Sequence, residues 1–130
     1  MTGSEIFLYL LIAIISVFGV RRVIWMLKIR HYSPFQVAQK LSSKEALVLL
    51  DVRTNSERRN GSLHSSIHIP LHELGRRITE LEAHRGKEII VYCQSGNRSL
   101  SAAAKLQKNG FSTANMKGGI AEWKFRNLSS

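Results

Sequence analysis

The sequence predicts an α/β domain, a parallel sheet covered by helices on both faces, preceded by one transmembrane helix. Three observations predict it. The chain opens on an apolar run, Ile6 to Val20, interrupted only by Ser16 and Gly19. Further on, short apolar runs of strand length alternate with segments of helical spacing, the order that βαβ units produce. The two clearest runs, Ala46-Leu47-Val48-Leu49-Leu50 and Ile89-Ile90-Val91-Tyr92, are continuously apolar, as strands buried on both faces are.

The opening helix comes first. Fifteen residues from Ile6 cover about 22 Å, short of a hydrocarbon core roughly 30 Å thick. After Arg21-Arg22 the apolar pattern returns at Val23 and continues to Leu27, which closes the gap. The two arginines then snorkel to the headgroups, and Trp25 sits in the interfacial belt. A secretory signal peptide is the main rival, but the start Met1-Thr2-Gly3-Ser4-Glu5 has no basic side chain and no Ala-x-Ala site follows. A buried core helix fits less well, since no polar face appears before Arg21. Arg21, Arg22, Lys28 and Arg30 flank the C-terminal side, and Glu5 the N-terminal side. The positive-inside rule then puts the N-terminus outside and the rest in the cytoplasm. Residues 1–30 are read as anchor and basic juxtamembrane segment, and residues 31–130 as one domain.

Within that domain, Ser33-Pro34 starts a helix carrying Phe35, Val37, Ala38 and Leu41. The Ala46–Leu50 strand ends at Asp51. Thr54 to Ser62 is polar, a loop or short helix. Leu63 to Ile69 is a weaker strand, stopped by Pro70. Leu71, Leu74, Ile78 and Leu81 mark an amphipathic helix. The Glu88–Tyr92 strand follows, then a helix carrying Leu100, Ala103, Ala104 and Leu106 that ends at Asn109-Gly110. Thr113 to Met116 is a short strand. Gly118-Gly119 ends it, and Ile120 and Trp123 lie on a last helix, with Trp123 in the core.

The chain has 130 residues, with 19 Lys+Arg against 9 Asp+Glu, a formal net charge of +10. From His31 onward 15 basic face 8 acidic residues, a net +7. This balance suits small anions or an acidic lipid surface. No aromatic-basic interleaving builds a stacking platform, so nucleic acid is not expected as a partner. One cysteine excludes an internal disulfide and fits a reducing compartment.

That cysteine, Cys93, carries the chemistry. It ends an apolar strand and opens the loop Gln94-Ser95-Gly96-Asn97-Arg98-Ser99 before an alanine-rich helix. Most single cysteines are inert and buried. Here the loop amides and the positive helix terminus stabilise a thiolate and an anion beside it. Gly96 lets the loop curl so that successive N–H groups converge, and Arg98 adds positive charge or braces the curl.

At these residues the chain resembles the rhodanese family of sulfurtransferases. The matching motifs are Leu50-Asp51-Val52-Arg53 with Glu57, the Cys93–Ser99 loop, Gly110-Phe111, and Gly118-Gly119-Ile120 with Trp123. The resemblance spans residue 33 to about residue 125. It implies a five-stranded parallel sheet between helices and a persulfide mechanism with no cofactor. Cys93 is then the nucleophile that takes a sulfane sulfur from thiosulfate or a similar anion and hands it to a thiol or cyanide. Gln94, Ser95, Gly96, Asn97, Arg98 and Ser99 form the substrate cradle, while Asp51 and Arg53 are structural supports. The family's usual Gly-His-Ile-Pro-Gly-Ala is replaced by Gly61-Ser62-Leu63-His64-Ser65-Ser66.

Rival readings remain open at this level. Related phosphatases place five residues between cysteine and arginine; here Gln94 to Asn97 are four, a ring better sized for sulfur than for phosphate. A membrane-tethered interaction module, or a relay that passes sulfur to one protein acceptor, is the alternative to general catalysis. His64, His68 and His72 recur every four residues, but Pro70 breaks the helix that would align them, so no metal site is expected. Arg76-Arg77 reads as a solvated helix face.

Overall fold

A computed structural model describes residues 1–126 and Leu128, with all their side chains except that of Met26. Positions 127, 129 and 130 of the segment read as the domain lie outside the described residues. Helix α1 (Gly3–Leu27) is followed by β1 (Arg30–Tyr32), α2 (Pro34–Ser42), β2 (Leu47–Asp51), α3 (Asn55–Arg59) and β3 (Ile67–His68). A broken helical stretch containing α4 (Leu74–Arg77) leads to β4 (Glu88–Tyr92), α5 (Asn97–Lys108), β5 (Thr113–Met116) and α6 (Gly119–Phe125).

The five strands form one parallel sheet in the order β1-β5-β4-β2-β3. Side chains alternate along each strand, so β4 serves two cores. Ile89 and Val91 pack with Leu50, Leu74, Leu81 and the alanine face of α5. Ile90 and Tyr92 pack with Val37, Met116, Ile120 and Trp123 under α2 and α6. Cys93 continues the Ile89–Val91 face and therefore turns toward α5.

Helix α2 begins as its sequence demands. The Ser33 hydroxyl accepts from the Gln36 amide, Gln36 reciprocates, and Pro34 fills the first turn. The polar segment after Asp51 resolves into α3, with the same reciprocal cap between Thr54 and Glu57.

Two local expectations are revised, and one strand appears that the sequence did not announce. The Leu71–Leu81 segment is not one α-helix. It is a 3-10 turn over Leu71–Glu73, a single α turn, and a 3-10 stretch over Ile78–His84. The spacing explains this, because the three-residue steps from 71 to 74 and 78 to 81 suit a 3-10 repeat and the four-residue step from 74 to 78 suits an α turn. The Leu63–Ile69 strand shrinks to Ile67–His68, because Ser66 bonds back to the Leu63 carbonyl and Ser65 sits at φ 60°. The first strand, Arg30-His31-Tyr32, has no apolar run to reveal it and exists through pairing with β5. It begins at Arg30, and Ile29 before it is already buried.

Helix α1 spans 25 residues, about 37 Å at the usual rise. Its apolar window, Gly3–Trp25, has no buried residue, and it is long and apolar enough to cross a membrane; a signal sequence passes the same test. Its base meets α5 through Trp25, whose ring lies 5.5 Å from the Lys28 ammonium and 6.0 Å from that of Lys108.

Candidate active site

Cys93 leaves the C-terminal end of the central strand β4, where open parallel sheets place their ligands. The loop after it is held from behind by α6. The Ile120 amide donates to the Cys93 carbonyl at 3.0 Å, and the Ala121 amide to the Gln94 carbonyl at 3.2 Å. With those carbonyls tied outward, the chain curls through Gly96 at φ 108°, and the Gly96 amide donates to Cys93 Sγ at 3.1 Å. A side chain at Gly96 would approach the Gly118 nitrogen to 3.2 Å, so the two glycine segments need each other's lack of Cβ.

The sulfur is 1% exposed by residue, yet polar groups converge on it. Burial pushes the Cys93 thiol up. The Ser99 hydroxyl, when its proton turns to the sulfur, and the amides of Ser99, Gly96 and Ser95 outweigh burial, leaving the thiol below its ordinary range. Gln94, Ser95 and Asn97 are exposed on the rim, Gly96 and Ser99 are buried, and Arg98 is half-buried.

Arg98 turns to α3. Its two terminal nitrogens donate to the two Glu57 oxygens at 2.6 and 2.8 Å. This bidentate contact, helped by bonds from Thr54, outweighs the cost of burial and draws the Glu57 carboxyl down to about 2. Arg98 thus braces the loop while its charge stays beside Cys93.

Asp51 and Arg53 lie beneath that brace, 0% and 2% exposed. Asp51 accepts from the Arg53 amide and guanidinium, from the Tyr92 hydroxyl at 3.1 Å and from Arg58 at 3.3 Å. Burial pushes the Asp51 carboxyl up, but the Arg53 contacts prevail and hold it low. Arg53 also donates to the carbonyls of Glu57 and Gly61, holding the C-terminal part of α3 and the residues just after it. The route from Asp51 through Arg53 and α3 to Glu57, Arg98 and the Cys93 loop is continuous. The variant segment Gly61–Ser66 closes over it: the Leu63 amide and the Ser66 hydroxyl both bond the Tyr92 hydroxyl.

His64, His68 and His72 fall on a turn, a strand and a 3-10 turn. The ring of His68 donates to the Arg53 carbonyl at 2.7 Å. Arg76 and Arg77 pair with Glu73 and Glu80 on the surface, and Trp123 is buried.

Sequence reading missed three contributors. Glu57 entered only as part of a motif, and its partner Arg98 lies 41 positions away. The amides of Ile120 and Ala121 act through backbone and leave no residue-type signal. Asn115 is 3% exposed inside β5 and accepts from the Ser99 hydroxyl at 2.5 Å. Its signal was available: a polar amide in a fully buried strand needs a partner.

Residues 33–126 match the Rhodanese-like domain family. A sulfurtransferase of Allochromatium vinosum is 33% identical over 88 residues, covering 67% of this chain and 80% of that protein. The putative sulfurtransferase YtwF of Bacillus subtilis is 30% identical over 98 residues, covering 75% and 93%. Among solved structures, a rhodanese-related protein of Thermoplasma volcanium superposes with a TM-score of 0.70 at 32% identity, covering 76% of this chain and 94% of that one. With the Cys93 loop, its arginine brace and the five-stranded sheet in place, the chain belongs to the rhodanese-like sulfurtransferase family.

Proposed function

We propose that the protein is a membrane-anchored sulfurtransferase that carries a sulfane sulfur on Cys93. The observation that carries this reading is the Gly96 amide directed at the Cys93 sulfur, in a loop whose carbonyls are tied away from it. The Cys93 thiolate attacks the outer sulfur of thiosulfate or a similar anion. A sulfur–sulfur bond forms as the donor's own breaks, and sulfite leaves with the electron pair. The persulfide then rests against the amides of the cradle formed by Gln94, Ser95, Gly96, Asn97, Arg98 and Ser99. A thiolate or cyanide attacks its outer sulfur and takes it as a persulfide or thiocyanate, which returns Cys93 as thiolate. Asp51 and Arg53 act as supports.

Residues 1–30 serve as the anchor and 31–130 as the domain, with the N-terminus outside and the domain in the cytoplasm. The apolar α1 and the basic residues at its base support this placement. Protease treatment of sealed inside-in vesicles tests it: external digestion of the domain reverses the orientation. Intact mass after thiosulfate treatment tests the chemistry. A gain of one sulfur, lost in Cys93→Ser, is expected. Native protein that gains no sulfur overturns the mechanism.

A further inference from the structure

A hydrogen-bonded chain runs from the buried sulfur to the edge of the sheet. Cys93 Sγ lies 3.4 Å from the Ser99 hydroxyl, which donates to Asn115 Oδ1 at 2.5 Å. The Asn115 amide nitrogen in turn lies 3.3 Å from His31 Nδ1 on exposed β1. Ser99 is 0% and Asn115 3% exposed, so water does not substitute for these partners.

The Ser99 hydroxyl has one proton. While that proton goes to Asn115 Oδ1, Ser99 faces the sulfur with lone pairs only. It then accepts from an S–H group but offers nothing to a thiolate. Turning the Asn115 amide over reverses the chain: the amide N–H₂ donates to Ser99, and the Ser99 proton is released to the sulfur. The reversed amide presents Oδ1 to His31, which must then hold a proton on Nδ1. Each order gives the Ser99 hydroxyl one donor and one acceptor partner, so the chain can run in two senses.

We propose that Asn115 is a positioning residue that sets the direction of the Ser99 hydroxyl, and so decides whether the Cys93 sulfur receives or donates a hydrogen bond. His31 forms the outer end of the same chain. The charged groups beside the two ends are engaged elsewhere: Arg98 by Glu57, and Arg30 by Glu88. The inference rests on Cys93 being the nucleophile, but its test does not require sulfur transfer.

Cys93 is the single thiol of the full chain, so its alkylation by iodoacetamide and its S–H infrared band are read without interference. Asn115→Leu removes the acceptor that diverts the Ser99 proton. Alkylation at neutral pH should then rise severalfold; a loosened fold would also expose the buried thiol, so the gain is read against the Ser99→Ala background. Asn115→Asp accepts only, locks the Ser99 proton away, and should slow alkylation about tenfold, the scale of one hydrogen bond to a charged group. The gain from Asn115→Leu should vanish in the Ser99→Ala background. If Asn115→Leu slows alkylation, leaves it unchanged, or has the same effect without the Ser99 hydroxyl, the proposal is overturned. The unmutated protein gives a second measurement. At low pH its S–H band should be shifted down by donation to Ser99, and a band at the free-thiol position overturns the proposal equally. Absence of a sulfur adduct with thiosulfate would count against the transferase reading and leave these outcomes intact.

Discussion

Replacing Gly119 by alanine tests how the Cys93 loop is held. Gly119 has φ 60°, where a side chain costs about 1–2 kcal/mol. The larger effect is spatial. A Cβ there would overlap the Cys93 carbonyl oxygen and lie 2.5 Å from the carbonyl carbon and oxygen of Gln94. Ordinary carbon contact begins at about 3.5 Å, so the loop backbone must retreat by about 1 Å. The bonds from the Ile120 and Ala121 amides to those same carbonyls would be disturbed with it. A misplacement of that size costs about a hundredfold in rate. Together with overpacking of about 1–3 kcal/mol, the domain should lose roughly 10 °C or more in melting temperature. The assay is thiosulfate–cyanide sulfur transfer beside Cys93 alkylation and thermal melting. Gly118→Ala is the control. It shares the left-handed backbone, at φ 73°, but its Cβ meets the Glu122 side chain of α6, including Glu122 Cβ at 2.8 Å, rather than the loop. It should melt lower while keeping transfer within severalfold. Wild-type transfer and alkylation in Gly119→Ala would refute the account of α6 as the loop's backing.

Three other outcomes are expected. Because the Glu57 carboxyl is held at about 2 in the folded protein, against 4.5 unperturbed, its contribution is present above pH 4.5 and is lost as pH falls toward 2. With side chains 27% and 37% exposed at Glu57 and Arg98, solvent screening reduces that contribution to about 1 kcal/mol. Urea unfolding of Glu57→Gln should therefore trail the native protein at pH 6 and converge with it near pH 2, and a pH-independent gap would contradict the pairing. Ser65→Gly should raise the melting temperature by roughly 2–5 °C, because Ser65 occupies φ 60°, the position where the family's usual motif has glycine; no gain would show the turn is unstrained. Tyr92→Phe removes a buried hydroxyl that donates to Asp51 and accepts from the Leu63 amide, and should cost about 1–3 kcal/mol in chemical denaturation. A change within error would argue that the Asp51 network does not depend on that hydroxyl.

The sequence was legible where a local pattern and a tertiary role coincide. Glu88–Tyr92 reads as a strand because it is apolar on both sides, and it is buried on both sides. Ser33-Pro34 reads as a helix start because its groups satisfy the cap locally. The Cys93–Ser99 loop was legible for the same reason: strand end, glycine and helix start are neighbours in the chain. The Arg30–Tyr32 strand was not, since its only cause is the partner β5, more than eighty residues away. The broken helix after Pro70 was misread because a three-four-three spacing fits more than one helical repeat.

Residue order by itself determined the apolar N-terminal segment, the alternation of strand and helix, and a cysteine opening a glycine-containing turn. These follow from periodicity and from bonds that close within a few residues. Only the tertiary structure decided what surrounds the sulfur. Glu57 reaching Arg98, the α6 amides gripping the loop, and Asn115 joining Ser99 to His31 all link distant positions. Such contacts are set by the packing of the sheet and its helices, which brings together groups that no local rule places side by side.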